Sequence, residues 1–178
     1  MPNWNKNFIK LTGTKEKIAE AKALFESKEQ EFDFNKIIPM PESEKDNWYD
    51  WCTANWGTKW NAVDVECEVF NENCLTYSFD TAWCLPEEIL RWFITSDFLK
   101  GYDSFFWESS NEEDMYETYE SYILDAEKGS VFREVGNYND QNNDPEDVEV
   151  VSSYTIGEPI PMREEPNDDE INLDEVPF

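Results

Sequence analysis

Acidic residues outnumber basic ones by 41 to 14 in this chain of 178 residues, which gives a formal charge of −27 without any histidine. Repulsion between like charges on this scale opposes a compact state, so a folded structure needs a large apolar core. Eight Trp, eight Tyr and twelve Phe can build one. Of these aromatic residues only Tyr154 and Phe178 lie beyond residue 138, which places the core in the earlier part of the chain.

The charge balance also narrows the possible functions. Binding to nucleic acid through phosphate neutralisation needs surplus Lys and Arg, and so does binding to an anionic membrane surface. Catalysis and zinc binding that depend on an imidazole are excluded because histidine is missing. No Gly-rich phosphate loop, nucleophile motif or metal-ligand spacing accompanies the carboxylates, so we expect no enzyme activity, no cofactor and no metal.

The charge divides the chain into two parts. Residues 139–178 hold thirteen acidic residues and one arginine, a net charge of −12, together with five of the nine prolines. Such a composition predicts a largely disordered tail, in which residues 148–154 could add a strand. Residues 1–138 carry the other 28 acidic and 13 basic residues, a net charge of −15, and are predicted to form one folded domain.

Strand and helix patterns alternate along residues 1–138. Thr14 is a predicted helix cap, Gly57 a predicted helix end, and Val65 and Cys67 alternate with acidic residues in a strand. This order predicts an α+β fold with helices packed on one face of an antiparallel sheet, most simply a ferredoxin-like domain. The predicted strands are 8–12, 32–38, 63–70, 74–79, 104–108, 120–126 and 131–135, and the predicted helices are 15–27, 46–56 and one that starts at Pro86 and ends before Gly101.

Three segments are similar to the YubB-like family of phage and plasmid proteins: 2–7 (PNWNKN), 34–41 (FNKIIPMP) and 48–62 (WYDWCTANWGTKWNA). The resemblance covers roughly residues 1–135. It implies a ferredoxin-like domain and a mobile-element context. It implies no established activity, so no catalytic residues follow from it.

Two acidic clusters are candidates for imitating a DNA backbone. The first lies on one face of the strand 63–70, where residues two apart are spaced about 6.6–6.8 Å. A solvated acidic surface with no binding role explains the same residues. The members of the first cluster are Asp64, Glu66 and Glu68, and those of the second are Glu112, Glu113, Asp114 and Glu117.

Tryptophans are concentrated at positions 48, 51, 56 and 60. Trp48 and Trp51 share a helix face, which favours a role in the core. A stacking platform for nucleobases is the alternative interpretation. It would need basic residues between the rings, and only Lys59 lies near them in sequence.

The last residues carry the most specific motif. The ending Asp174-Glu175-Val176-Pro177-Phe178 resembles the acidic tip of bacterial single-stranded-DNA-binding proteins. In such a tip the terminal Phe enters an apolar pocket while its carboxylate meets a basic residue at the lip. Pro limits the conformations lost on binding, and the acids steer the tip to a basic rim. The acidic residues expected to steer it also include Asp168, Asp169 and Glu170.

Together these features predict a cytoplasmic, non-enzymatic accessory protein of a phage or plasmid. Its expected partners are host or phage proteins of DNA replication, repair or defence, bound through the tip, and its acidic face is a possible DNA mimic. Two alternatives remain open. One is a phage single-stranded-DNA-binding protein with a regulatory acidic tail, and the other is a structural or solubility role within a larger complex.

Overall fold

The computed structural model describes residues 3–111, 118–138 and 145–160. In these ranges the chain forms one seven-stranded antiparallel sheet and four α-helices, which confirms the predicted α+β class with an antiparallel sheet. The strands are β1 (Trp4–Thr12), β2 (Val63–Phe70), β3 (Cys74–Ala82), β4 (Ser104–Asn111), β5 (Thr118–Asp125), β6 (Ser130–Tyr138) and β7 (Pro145–Thr155). The helices are α1 (Lys15–Phe25), α2 (Phe34–Ile37), α3 (Trp48–Trp56) and α4 (Glu87–Thr95).

The strand order is β2-β3-β1-β4-β5-β6-β7, and every neighbouring pair is antiparallel. The first strand of the chain therefore lies inside the sheet, between β3 and β4. The edges of the sheet are β2 and β7. Val148, Val150 and Val151 are exposed along β7.

The two faces of the sheet differ in what covers them. One face packs against the helices, since Phe25 of α1 contacts Tyr77, and Phe93 of α4 contacts Phe105 and Trp107. Within the described residues no helix packs on the opposite face. We call this opposite face, which carries Lys6, Phe8 and Lys10 of β1, the open face.

Aromatic rings fill the space between the helices and the sheet. Phe25 lies 5.2–5.5 Å from the ring centroids of Phe32, Phe93 and Phe98. Complete burial of such a side chain contributes about 1.5–3 kcal/mol. The largest fully buried aromatic side chains are Trp107, Tyr77, Phe25, Phe32, Phe34, Phe79, Phe93 and Phe105.

Two buried asparagines of β1 tie the central strands together. Asn7 donates its side-chain amide to the hydroxyl of Thr81 and accepts a hydrogen bond from the indole of Trp107. Asn5 accepts a hydrogen bond from the hydroxyl of Ser109 at 2.6 Å. Since a buried amide without a partner costs free energy, these contacts favour a single register of β1 against β3 and β4.

The predicted helix signals at Thr14 and Gly57 are confirmed. The Thr14 side chain accepts a hydrogen bond from the Lys17 backbone N–H and caps α1. Gly57 follows α3 with a left-handed φ of +76°, a conformation that glycine adopts without a Cβ clash.

The strand predicted at 32–38 is wrong, because these residues form a bend and the short helix α2. Asp33 accepts hydrogen bonds from the Asn35 backbone N–H and the Asn61 side chain, and Asn61 accepts one from the Phe34 backbone N–H. These side chains bind the backbone groups that a neighbouring strand would need. The apolar residues Phe34 and Ile37 are buried by helical packing instead.

The sheet continues past residue 138. The strand predicted at 148–154 is confirmed and extends over Pro145–Thr155. Residues after it also belong to the folded unit, since Gly157 N–H donates to the Ile94 carbonyl and Arg91 donates to the Ile160 carbonyl. The remainder of the predicted tail, 139–144 and 161–178, lies outside the described residues.

We predict that Gly57→Ala lowers the free energy of unfolding in urea more than Gly129→Ala does. Both glycines have a positive φ, +76° and +63°. A Cβ at Gly57 would also lie 2.7 Å from the Glu87 backbone nitrogen, whereas one at Gly129 meets nothing within 4 Å. The expected difference is about 1–3 kcal/mol, and equal losses would show that the end of α3 adapts to a Cβ.

Candidate binding surfaces

The acidic strand β2 lies at one edge of the sheet. Asp64, Glu66 and Glu68 are exposed, while Val65 and Cys67 are half-buried against the core. The pairing with β3 shifts register twice, between Val63 and Glu66 and between Glu66 and Val69. Because β-bulges bend a strand and increase its twist, the three carboxylates lie on a strand that is irregularly paired with β3, although their alternation with Val65 and Cys67 is the predicted one.

The other predicted site residues cannot be placed next to this strand. The second acidic cluster falls between β4 and β5 in sequence and lies outside the described residues. The docking tip and the acidic residues before it also lie outside them. These residues are Glu112, Glu113, Asp114, Glu117, Asp168, Asp169, Glu170, Asp174, Glu175, Val176, Pro177 and Phe178.

Glu31 attaches the acidic strand to the helical layer. Its carboxylate accepts a hydrogen bond from Lys22 at 2.8 Å and one from the Cys67 backbone N–H at 3.2 Å. The hydrogen bond from Lys22 is the main reason why the pKa of Glu31 is lowered from its ordinary value of 4.5. A pKa lowered by folding means that this stabilisation is present at neutral pH and is lost as the pH falls through the lowered pKa.

The tryptophans of the segment 48–60 lie in different environments. Trp56 is buried and donates its indole N–H to the Ile38 carbonyl, as a core role predicts. Its ring centroid lies 5.4 Å from that of Trp51. Trp48 remains 43% exposed. Trp60 turns away from this group and contacts Trp4 of β1 at 6.2 Å.

A lysine lies among three aromatic rings beside this segment. The Nζ atom of Lys59 is 4.7 Å from the ring centroid of Trp60, 5.1 Å from that of Trp83 and 5.9 Å from that of Tyr49. We call these four residues the Lys59 cluster. Sequence reasoning missed it because Tyr49 and Trp83 are far from Lys59 along the chain, and only the end of β3 brings Trp83 to it.

Trp83 has a backbone conformation that is unusual for a bulky residue. Its φ is +74° and its side chain is 41% exposed. The conformation is held by a hydrogen bond from its N–H to the Asn3 carbonyl and by one from the Asn111 side chain to its own carbonyl. Such strain is concentrated at functional sites, and burial of the ring does not account for it.

The open face carries a second set of rings and lysines. Along β1 the outward positions alternate Trp4, Lys6, Phe8 and Lys10, with both lysines exposed and both rings half-buried. Phe8 contacts Phe106 of β4 at 6.3 Å. The alternation is visible in the sequence. The predicted strand starts at residue 8, however, and therefore leaves out Trp4 and Lys6.

Two other kinds of site are missing from the described ranges. They contain no group of three or more His, Cys, Asp or Glu residues placed to hold a metal ion. No helix within these ranges has the length and apolar character needed to cross a membrane.

The chain matches no protein-family model, no curated protein and no solved structure. The resemblance to the YubB-like family therefore stays a prediction, and function has to be argued from the surfaces themselves.

We predict opposite effects of glycine at two exposed tryptophans. The free energy of unfolding in urea should be about 1 kcal/mol higher for Trp83→Gly than for Trp83→Ala, because alanine keeps the cost of a left-handed φ. At Trp48, which has helical backbone angles, the alanine variant should be more stable than the glycine variant by about the same free energy. If alanine were the more stable replacement at both positions, Trp83 would not be strained.

Proposed function

We propose that this protein is a non-enzymatic accessory protein of a phage or plasmid that binds DNA-replication, repair or defence proteins through its acidic C-terminal segment. The observation that carries the proposal is the sequence Asp174-Glu175-Val176-Pro177-Phe178 in a chain of net charge −27. It combines an aromatic anchor, a stiff Pro and flanking acids. Such a segment suits a small apolar pocket with a basic rim.

The end of the folded unit supports this use of the segment. The chain is held to the domain up to Ile160, whose carbonyl accepts a hydrogen bond from Arg91. Eighteen residues follow Ile160, and a chain of that length spans at most about 60 Å when extended. A partner bound to Phe178 would therefore remain close to the folded domain, at a raised effective concentration.

The acidic edge strand is the surface that could then act on the partner. Asp64, Glu66 and Glu68 are exposed together on β2, and none of these three side chains is part of the core. Held beside a DNA-binding channel by the tail, they would compete with phosphates for its basic residues. The proposed role is a DNA mimic that inhibits the partner.

The fold proposed for the first half is ferredoxin-like. Apart from α2 and α3, which lie between α1 and β2, the order of elements is β1, α1, β2, β3, α4 and β4, with strand order β2-β3-β1-β4. The connections through α1 and α4 therefore join strands that are not neighbours. This order supports the resemblance to the YubB-like family. In this proposal β5, β6 and β7 are an extension of that domain.

We predict that Phe178→Ala and the deletion of residues 177–178 each weaken binding to a protein that recognises the tips of single-stranded-DNA-binding proteins. The affinity should fall by at least about tenfold, because one buried aromatic anchor often dominates an interface. Isothermal titration calorimetry with such a purified protein measures the loss. Phe70→Ala is the matched control, since Phe70 is 54% exposed on β2. Equal affinity of all these variants would contradict docking through the tip.

The mimicry makes a separate prediction. The triple variant Asp64→Asn, Glu66→Gln, Glu68→Gln should still bind the partner but should no longer displace DNA from it, as measured by DNA mobility shift. The control is Glu16→Gln, Glu20→Gln, Glu29→Gln, which removes three exposed charges from the helical side of the chain. If both triple variants inhibited as strongly as the original chain, the strand would not be a mimic.

A further inference from the structure

The outward face of β1 has the composition of a single-strand binding platform. Trp4, Lys6, Phe8 and Lys10 alternate ring and ammonium at every second residue, a spacing of about 6.6–6.8 Å between successive side chains. Because these positions are half-buried or exposed and β1 lies inside the sheet, the rings and the ammonium groups lie along one line on a face that no helix of the described ranges covers.

The surface widens across the neighbouring strands. Lys10 is in register with Phe106, Phe106 with Ile123, and Ile123 with Phe132. From Lys10 of β1 the row continues with three half-buried apolar side chains, Phe106, Ile123 and Phe132, on β4, β5 and β6. Lys128 lies at its far end, with Nζ 5.1 Å from the ring centroid of Phe132.

The Lys59 cluster extends the same surface at the start of β1. Trp60 of the cluster contacts Trp4, with 6.2 Å between the ring centroids, so the cluster adjoins the start of the line formed by Trp4, Lys6, Phe8 and Lys10. The indole nitrogen of Trp60 is buried without a hydrogen-bond partner among the described residues. Because this nitrogen is buried, the ring of Trp60 and not its N–H is what the residue can present to a bound molecule.

Three lysines of this surface differ from most others in the described ranges. Lys6, Lys10 and Lys59 take part in none of the ion pairs there. Their ammonium groups are therefore available to an external anion, although Asp80 lies in register with Lys6 and Glu108 with Phe8. By contrast, five lysines lie within 3.0 Å of a carboxylate oxygen: Lys15, Lys22, Lys45, Lys100 and Lys128.

We propose that the open face, together with the Lys59 cluster, binds single-stranded nucleic acid. Bases stack on Trp4, Phe8 and Phe106, and the ammonium groups of Lys6, Lys10 and Lys59 meet the phosphates. A duplex is disfavoured because its bases are already stacked and its denser charge meets an acidic protein. Stacking carries most of the affinity, so this binding is compatible with a net charge of −27.

This inference is independent of the proposed function, because it rests on residues of the folded domain and not on the tip. Loss of tip docking would leave oligonucleotide binding in place, and the converse also holds.

The test uses the full chain and a fluorescently labelled oligothymidine of about 15 nucleotides, a length within the range of single-strand binding folds. At about 50 mM salt we expect binding by fluorescence anisotropy. With three phosphate contacts, the logarithm of the binding constant should fall with the logarithm of salt concentration with a slope of about −2. The matched duplex should bind at least tenfold more weakly.

Two variants separate stacking from charge. Phe8→Leu keeps an apolar side chain but removes the ring, and should lower the affinity about tenfold. Lys10→Glu should lower the affinity and reduce the slope to about −1.4. Lys28→Glu is the matched control, because it changes the net charge equally at an exposed position in the turn after α1, and it should bind much more tightly than Lys10→Glu.

Circular dichroism melts show whether each variant folds. If Phe8→Leu does not fold, Trp4→Leu replaces it in the comparison. The proposal is overturned if the original chain does not bind the oligonucleotide, if the duplex binds equally well, or if Lys28→Glu weakens binding as much as Lys10→Glu does. It is also overturned if a folded ring variant keeps the original affinity.

Discussion

Packing of aromatic rings between the helices and the sheet is the interaction on which the rest of this structure depends. A chain of net charge −27 loses stability to its own repulsion. Rings such as Phe25, Phe93 and Trp107 are fully buried and concentrate the apolar contribution in a small volume. With that core in place, the acidic side chains can remain at the surface, and one face of the sheet can stay uncovered by helices.

Much of this fold could be predicted because the relevant signals are local. The side chain of Thr14 binds a backbone N–H three residues away, and Gly57 supplies a left-handed φ at the end of α3. The alternation along β2 likewise depends on neighbours in sequence. The α2 helix was missed because it depends on Asn61, which reaches Asp33 and the Phe34 backbone from a distant part of the chain. The apolar pattern of 32–38 alone fits a strand equally well.

The candidate surfaces were harder to predict than the fold. The acidic residues of β2 are exposed as expected, but the two register shifts in the pairing of β2 with β3 could not be predicted from the sequence of β2 alone. The Lys59 cluster needs the end of β3 to bring Trp83 to Lys59. The rings of the open face are different, because their alternation with lysine is visible in the sequence of β1 itself. It becomes informative only when the neighbours of β1 in the sheet, and therefore its uncovered side, are known.

The two edges of the sheet share the features that hinder assembly. The pairing of β2 with β3 shifts register twice, and so does the pairing of β7 with β6. Exposed carboxylates lie on both strands, those of Asp64, Glu66 and Glu68 on β2 and that of Glu149 on β7. Because bulges and charged side chains oppose the addition of a further strand, a second copy of the chain meets the same obstacles at either edge. Growth of the sheet into a fibre is therefore disfavoured on both sides.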